Sequence, residues 1–400
     1  MPNHAFLLVF MPTQLLRWLT SLITSSPIHV LQVVPSLSRS AGVSQFVHNM
    51  SLGIDEHRVV FDYLHHATLN GKPLRDCTYD QELIAHGSRV YTVSYASAGL
   101  GRFIKEVEEF FVKHGREYDI VHCHMPNSAF CVLREAKRAG IEHRVLHSHL
   151  NSSSDNVLHR VRNAPLIAWG KRYATDGVAC SDEAGKYLFG NKPFTVMKNG
   201  IVLSNFAYDD RSNASLRAEF CIGNSDPVIG SVGRFVKQKN FEFGVRVFAE
   251  LKRCLPSAKW VILGTGDGTG RVRALADELG VGDSIIMPGV RVDVARFYSL
   301  FDAFFMPSLY EGLPVSAVEA QASGLRCVFS TGVPEESDIT GSGRFVGLDR
   351  PSAEWVSALV DTLAQGRDDR AANKLALAGY SAETNAENLM EFYEGLLCGL

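Results

Sequence analysis

The sequence has no Cys-x-x-Cys pair, no internal repeat and no low-complexity tract. Its eight cysteines (Cys77, Cys123, Cys131, Cys180, Cys221, Cys254, Cys327 and Cys398) are scattered without metal-ligand spacing, which speaks against a cysteine-held zinc centre. Most lie in apolar runs such as "VHCH" and "GLRCVFS", which predicts buried free thiols in a reducing compartment. There is no basic excess: 40 Lys and Arg against 43 Asp and Glu leave a formal charge of -3, so no nucleic acid partner is expected. What remains is 46% hydrophobic and 21% charged, the balance of a globular protein. A chain of 400 residues suits two domains of ~150–200 residues each.

The opening stretch "AFLLVFMPTQLLRWLTSLIT" is apolar but interrupted by Pro12, Gln14 and Arg17, and it lacks the basic start and small-residue cleavage site of a signal peptide. Residues 1–27 are expected to be an extension outside the fold. An interfacial helix and a membrane span are the other two readings.

From Ile28 the pattern becomes regular. "IHVLQVV" is apolar without alternation, as in a strand buried on both faces. "HRVVFDYL", "RVYTVSY", "DIVHCHM", "HRVLHSH" and "GVACS" follow, separated by helical stretches such as "LGRFIKEVEEFFVKHG". A second series starts at Pro227 with "PVIGSVGRF", "AKWVILGTG", "SIIMPG", "AFFMPS", "RCVFST" and "RFVGLD". Such alternation predicts an α/β fold with two doubly wound, Rossmann-like domains whose strand ends face a central cleft. The expected boundaries are 28–205 and 206–383, with 384–400 a helix returning to the first domain. The polar stretch from Ser204 to Asp226 reads as the linker.

Chemistry concentrates at strand ends. In "SLYEGLPVSAVEAQASG", Glu311 and Glu319 flank a predicted helix start, with Pro314 suited to the first turn. Amides from Gly312, Leu313 and Val315 would face an anion there. One carboxylate could meet a sugar hydroxyl and the other a ribose diol. In "GSVGRFVKQKNFEFGV", a strand ends at Gly233 and presents Arg234 and Lys239, two cations suited to a diphosphate. "LGTGDGTG" lacks the acidic partner of a dinucleotide fingerprint. Gly266 is therefore read as part of a tight turn near a nucleotide, structural or ligand-contacting. His122 and His124 share one face of a strand end, as do His147 and His149. Neither pair has a defensible zinc spacing. His122 and His147 are expected to be structural.

These strings resemble the E-x7-E motif and diphosphate loop of retaining glycosyltransferase family 4, which has the GT-B fold. "VMKNGIVLSNF" and "EESDITGSGRFVGLD" are similar to those of bacterial exopolysaccharide and capsule transferases. The resemblance runs from about Ile28 to the C-terminus. It implies that Glu311 and His124 contact the donor sugar, that Glu319 contacts the ribose, and that Arg234 and Lys239 stabilise the departing diphosphate. His149, Asn199 and Gly42 are further candidates. Four positions depart from the family pattern: Ala41 precedes Gly42 where two glycines are usual, Lys198 replaces a proline before Asn199, Val202 stands where the family has an aspartate after "NGI", and Arg326 replaces another proline.

The expected function is transfer with retention from a nucleotide diphosphate sugar, commonly a UDP-sugar, to a saccharide or lipid-diphosphate-linked acceptor. No metal or other cofactor is expected. The expected place is the cytoplasm, with peripheral contact at the inner face of the membrane through "HRVRNAPLIAWGKRYA". There Arg160, Arg162, Lys171 and Arg172 flank Leu166, Ile167 and Trp169; core burial of the same helix reads equally well. A nicotinamide oxidoreductase, a nucleotide-sugar epimerase and a non-catalytic sugar-nucleotide binder are the rival readings.

Overall fold

A computed structural model of the chain describes residues 26–399, apart from 40, 70–71, 74–77, 95–98 and 150–156. Of the expected extension 1–27 only Ser26 and Pro27 are described, so the whole apolar opening stretch lies outside the described residues, as do Cys77 and the side chain of Arg160. The chain divides into two compact units. One runs to Met197 and resumes at Ala386; the other is Lys198–Asn385. The division comes a little before the boundary expected at residue 205.

The first unit contains a parallel sheet of β1 (Ile28–Val34), β2 (Val59–His66), β3 (Val90–Val93), β4 (Ile120–Cys123), β5 (His143–Ser148), β6 (Asp176–Ala179) and β7 (Thr195–Val196), in the order β3-β2-β1-β4-β5-β6-β7. Val30, Leu31, Val33 and Val34 are at most 2% exposed, as strands covered on both faces require. The helix Leu100–His114 shows why the intervening stretches coil: Phe103, Val107, Phe110 and Phe111 are buried on one stripe, while Val112 is exposed. That spacing is the helical period.

The second unit repeats the plan with β8 (Val228–Val232), β9 (Lys259–Leu263), β10 (Ile285–Gly289), β11 (Ala303–Met306), β12 (Cys327–Ser330) and β13 (Arg344–Val346), in the order β10-β9-β8-β11-β12-β13. Both sheets reverse direction of growth beside their first strand, at β1/β4 and at β8/β11. Chains leaving neighbouring strands there diverge to opposite faces, and ligands bind at such points.

Two expectations are corrected. The stretch 204–226 is not a free linker: it forms the helix Asp210–Glu219, whose start is capped by the Asp209 carboxylate accepting from the amides of Arg211 and Ser212. Phe206, Leu216 and Ile222 bury against the core of the second unit. Three apolar residues so widely spaced leave no periodic signal in a polar segment. Nor are most cysteines buried, since Cys221, Cys254 and Cys398 are exposed and Cys180 is half-buried.

Candidate functional site

Because β8 and β11 are neighbours, the loops that follow them lie side by side. After Val232 the chain passes Gly233 and Arg234, makes one 3-10 turn at Lys237–Lys239, and enters the helix Phe241–Cys254. Asn240 makes the bend with a left-handed φ of 54° and donates from its amide to the Pro307 carbonyl at 3.1 Å. Asparagine tolerates this region better than other side-chain-bearing residues. The Leu309 amide then donates to the Gln238 carbonyl at 2.8 Å, which fastens the second loop to the first.

This pairing brings the predicted cation and carboxylate together. Lys239 Nζ donates to Glu311 Oε1 at 2.7 Å, and Gln238 Nε2 donates to Glu311 Oε2 at 3.2 Å. The two charged side chains are only 15% and 6% exposed. Arg234, by contrast, is exposed, and among the described residues its side chain has no ion pair or hydrogen bond. One cation is therefore neutralised in place while its neighbour keeps its charge available.

The helix Val315–Ala322 begins one residue later than expected, with Pro314 in the capping position outside its first turn. Gly312 is exposed, and Leu313 and Val315 are half-buried. Among the described residues their amides make no backbone hydrogen bond. Glu319, in the second turn, is 8% exposed and accepts from the Tyr298 hydroxyl at 2.6 Å on Oε2. Burial, and then the adjacent Glu319 charge, hold the Tyr298 phenol well above its usual pKa, so it remains a donor. Gln238 and Tyr298 join the site from outside the expected residues: Gln238 sits inside "GSVGRFVKQKNFEFGV", whereas nothing local in the sequence marks Tyr298.

The glycines divide into two kinds. A Cβ on Gly264, whose φ is +131°, would fall 2.0 Å from the Gly233 carbonyl oxygen, and one on Gly266 would fall 2.6 Å from that of Phe235. These residues let the loop after β9 lie against the backbone after β8, where Phe235 donates to Thr265 and Gly268 donates to Phe235. A Cβ on Gly233 would meet the Lys239 stem at 3.0 Å. At Gly42, the start of the helix Gly42–Ser51, and at Gly312, a Cβ would meet no atom of the described residues within 4 Å, so packing among them does not require either to be glycine. Asn199 is half-buried beside Gly200, and its Oδ1 has no hydrogen-bond partner among the described residues.

In the first unit, alternation along β4 and β5 places the histidines in two stacked pairs. The rings of His122 and His124 are 4.4 Å apart, and those of His147 and His149 are 3.9 Å apart. His124 is 4% exposed, and both its ring nitrogens are engaged, with Gln32 Oε1 at 2.8 Å and His149 Nε2 at 2.8 Å. His122 bonds the Tyr393 hydroxyl at 2.6 Å and His147 at 3.1 Å. Burial first, and neighbouring imidazoles second, push the His122 pKa down to about 3 and hold His124 and His147 well below the usual value. Ring nitrogens of His122, His124 and His147 lie within 4.8 Å of one another. The rings of His122 and His124 are nearly parallel and stacked, however, so their in-plane lone pairs run alongside each other instead of converging on one ion.

The glycosyl transferases group 1 family matches residues 213–380, the segment that holds both loops. A putative glycosyltransferase, EpsF of Bacillus subtilis strain 168, is 31% identical over 381 residues, covering 92% of this chain and 97% of its own. The chain belongs to the group 1 glycosyl transferases. It is accordingly a transferase, and the nicotinamide oxidoreductase reading falls. The UDP-Gal:alpha-D-GlcNAc-diphosphoundecaprenol alpha-1,3-galactosyltransferase of Escherichia coli is 24% identical over 54% of this chain and 58% of its own. Among solved structures, Anabaena Alr3699/HepE in complex with UDP-glucose matches with a TM-score of 0.72 at 15% identity, over 92% of this chain and 100% of that one. The glycosyltransferase has the GT-B fold, two Rossmann-like domains each built on a parallel sheet.

Proposed function

We propose that this glycosyltransferase moves a sugar, with retention at the anomeric carbon, from a UDP-sugar to a saccharide or lipid-diphosphate-linked saccharide in cell-surface polysaccharide synthesis. The observation that carries this reading is the buried Lys239–Glu311 pair, with Arg234 of the same loop exposed and without a partner among the described residues. Charge grows on the diphosphate as the sugar departs, and Arg234 with Lys239 would stabilise it there. Glu311 would accept from donor-sugar hydroxyls, and Glu319, oriented by Tyr298, from the ribose diol. Gly312, Leu313 and Val315 would offer amides to the donor. Glu311 is already bonded to Lys239 and Gln238, which suits a binding group better than a nucleophile and favours front-face displacement assisted by the leaving group.

The donor class draws support from relatives: the E. coli galactosyltransferase is named for UDP-Gal and a diphosphoundecaprenol-linked acceptor. Arg234 and Lys239, the latter shared with Glu311, would face the diphosphate in place of a divalent metal. For an acceptor carried at the inner face of the membrane, the helix Val157–Gly170 offers exposed Arg162 and Trp169, and Arg172 is exposed just beyond it. Leu166 and Ile167 of this helix pack on the core, and Lys171 donates to the Leu188 carbonyl at 2.6 Å.

The test is a screen of nucleotide sugars for acceptor-dependent release of nucleoside diphosphate, with and without EDTA, and with the product's anomeric configuration read by NMR. Release that depends on acceptor and survives EDTA is expected. Donor epimerisation without acceptor would make the protein an epimerase; binding without turnover would make it a sugar-nucleotide binder.

A further inference from the structure

His122, His124, His147 and His149 belong to one continuous hydrogen-bonded chain that crosses three strands and ends on the last helix. Gln32 of β1 and His122 of β4 are register partners, and Tyr393 of the helix Ala382–Cys398 reaches both. Gln32 Nε2 donates to the Tyr393 hydroxyl oxygen at 3.0 Å. That fixes the other end of the amide, so Gln32 Oε1 must accept, and His124 must donate to it from Nε2. His124 Nδ1 is then bare and accepts from His149 Nε2. On the other arm, Tyr393 has accepted from Gln32 and turns its own hydrogen to His122 Nδ1. His122 therefore carries its proton on Nε2 and donates to His147 Nδ1. One amide orientation dictates the proton position on four imidazoles.

We propose that Gln32 and Tyr393 are positioning residues that hold His124 and His149 as neutral Nε2–H imidazoles through this relay.

The surroundings keep the relay uncharged. Tyr393, His122 and His147 are fully buried, and Phe46 of the helix Gly42–Ser51 meets His147 and His149 edge-on at 5.2 Å. The titratable groups facing His124 are His122, His147, His149 and, through Gln32, Tyr393, with Tyr63 beyond Tyr393. Among the described residues no carboxylate, lysine or arginine contributes to the shifts of His122, His124 or His147. A proton added to any ring would lack a countercharge in a buried site. Arg58 anchors the helix that brings Tyr393 by bonding both Glu387 and Glu394.

The kinetic consequence rests on the glycosyl-transfer reading; the proton positions do not. In the full chain with 15N-labelled histidine, long-range 1H–15N spectra should show His124 and His149 as single neutral Nε2–H tautomers. Tyr393→Phe keeps the ring but removes both the acceptor for Gln32 and the donor to His122. It should shift the 15N signals of His124 and His149 toward tautomer mixtures and lower kcat about tenfold, with donor KM unchanged. Gln32→Met is the second variant, should the first fold poorly, with the same expected outcome. Gln32→Glu places an acceptor-only carboxylate against His124 Nε2 and should stabilise the imidazolium. Activity should then be low in acid and recover as pH rises through the new His124 pKa.

Unchanged tautomer signals in Tyr393→Phe and Gln32→Met would overturn the relay. Altered signals with parental kcat and a parental pH profile would overturn the positioning role. If the parent transfers no sugar at all, the functional reading fails while the spectra still decide the relay.

Discussion

Lys239 Nζ and Glu311 Oε1 lie 2.7 Å apart, each nearly withdrawn from water, so each is the other's countercharge before any donor arrives. Removing one partner leaves a buried charge without compensation, which costs about 3–5 kcal/mol. Lys239→Ala should therefore lower the melting temperature as well as turnover. Lys239→Met combined with Glu311→Gln should recover most of the melting temperature without recovering turnover. If the double variant is no more stable than the single one, the pair is not the source of the loss.

Arg234 makes the contrasting case. Exposed and without a partner among the described residues, it contributes little to folding, and Arg234→Ala should stay within about 0.5 kcal/mol of the parent in denaturant melts. Turnover should nevertheless fall by about a hundredfold, with a smaller change in donor affinity, since leaving-group charge is largest in the transition state. Parental kcat in this variant would remove Arg234 from the diphosphate site.

The two classes of glycine separate fold from ligand. Gly264→Ala would drive a Cβ into the Gly233 carbonyl and should cost well over 1 kcal/mol. Gly312→Ala meets nothing within 4 Å, so its melting curve should overlay the parent's. A raised donor KM in Gly312→Ala would then report space that the ligand uses; a parental KM would show that the donor stays clear of this loop.

Buried histidines also set the acid limb of stability. His122 has a folded pKa of about 3 and His66 one of about 4, against 6.5 for a free imidazole. The unfolded chain therefore binds more protons across that window. Their contribution is complete above 6.5 and is lost progressively as pH falls toward the folded values. Melting temperature should decline with pH from about 6.5 downward, and His66→Gln should flatten the slope. A flat stability curve between pH 4 and 6.5 would contradict the burial of these rings in solution.

Within the sequence, every strand of both sheets except the two-residue β7 was legible, because a buried parallel strand writes itself as a short unbroken apolar run. The loops after β4, β8 and β11 were legible too, since glycines and charges at the ends of such runs have few structural uses. Local pattern reaches no further than a few residues. It could not find the helix Asp210–Glu219, whose buried residues are too sparse to show a period.

Tertiary structure alone decided the pairings. Lys239 meets Glu311 across 72 residues because β8 and β11 are adjacent in the sheet. Tyr298 reaches Glu319 from a different helix, and Tyr393 reaches His122 across 271 residues. His124 could be read as a candidate from its place at a strand end. That both its nitrogens are engaged, and on which one the proton resides, follows from Gln32 and Tyr393. The sequence specifies which side chains are available; proton and charge positions depend on distances that exist only once the sheets and the last helix have packed.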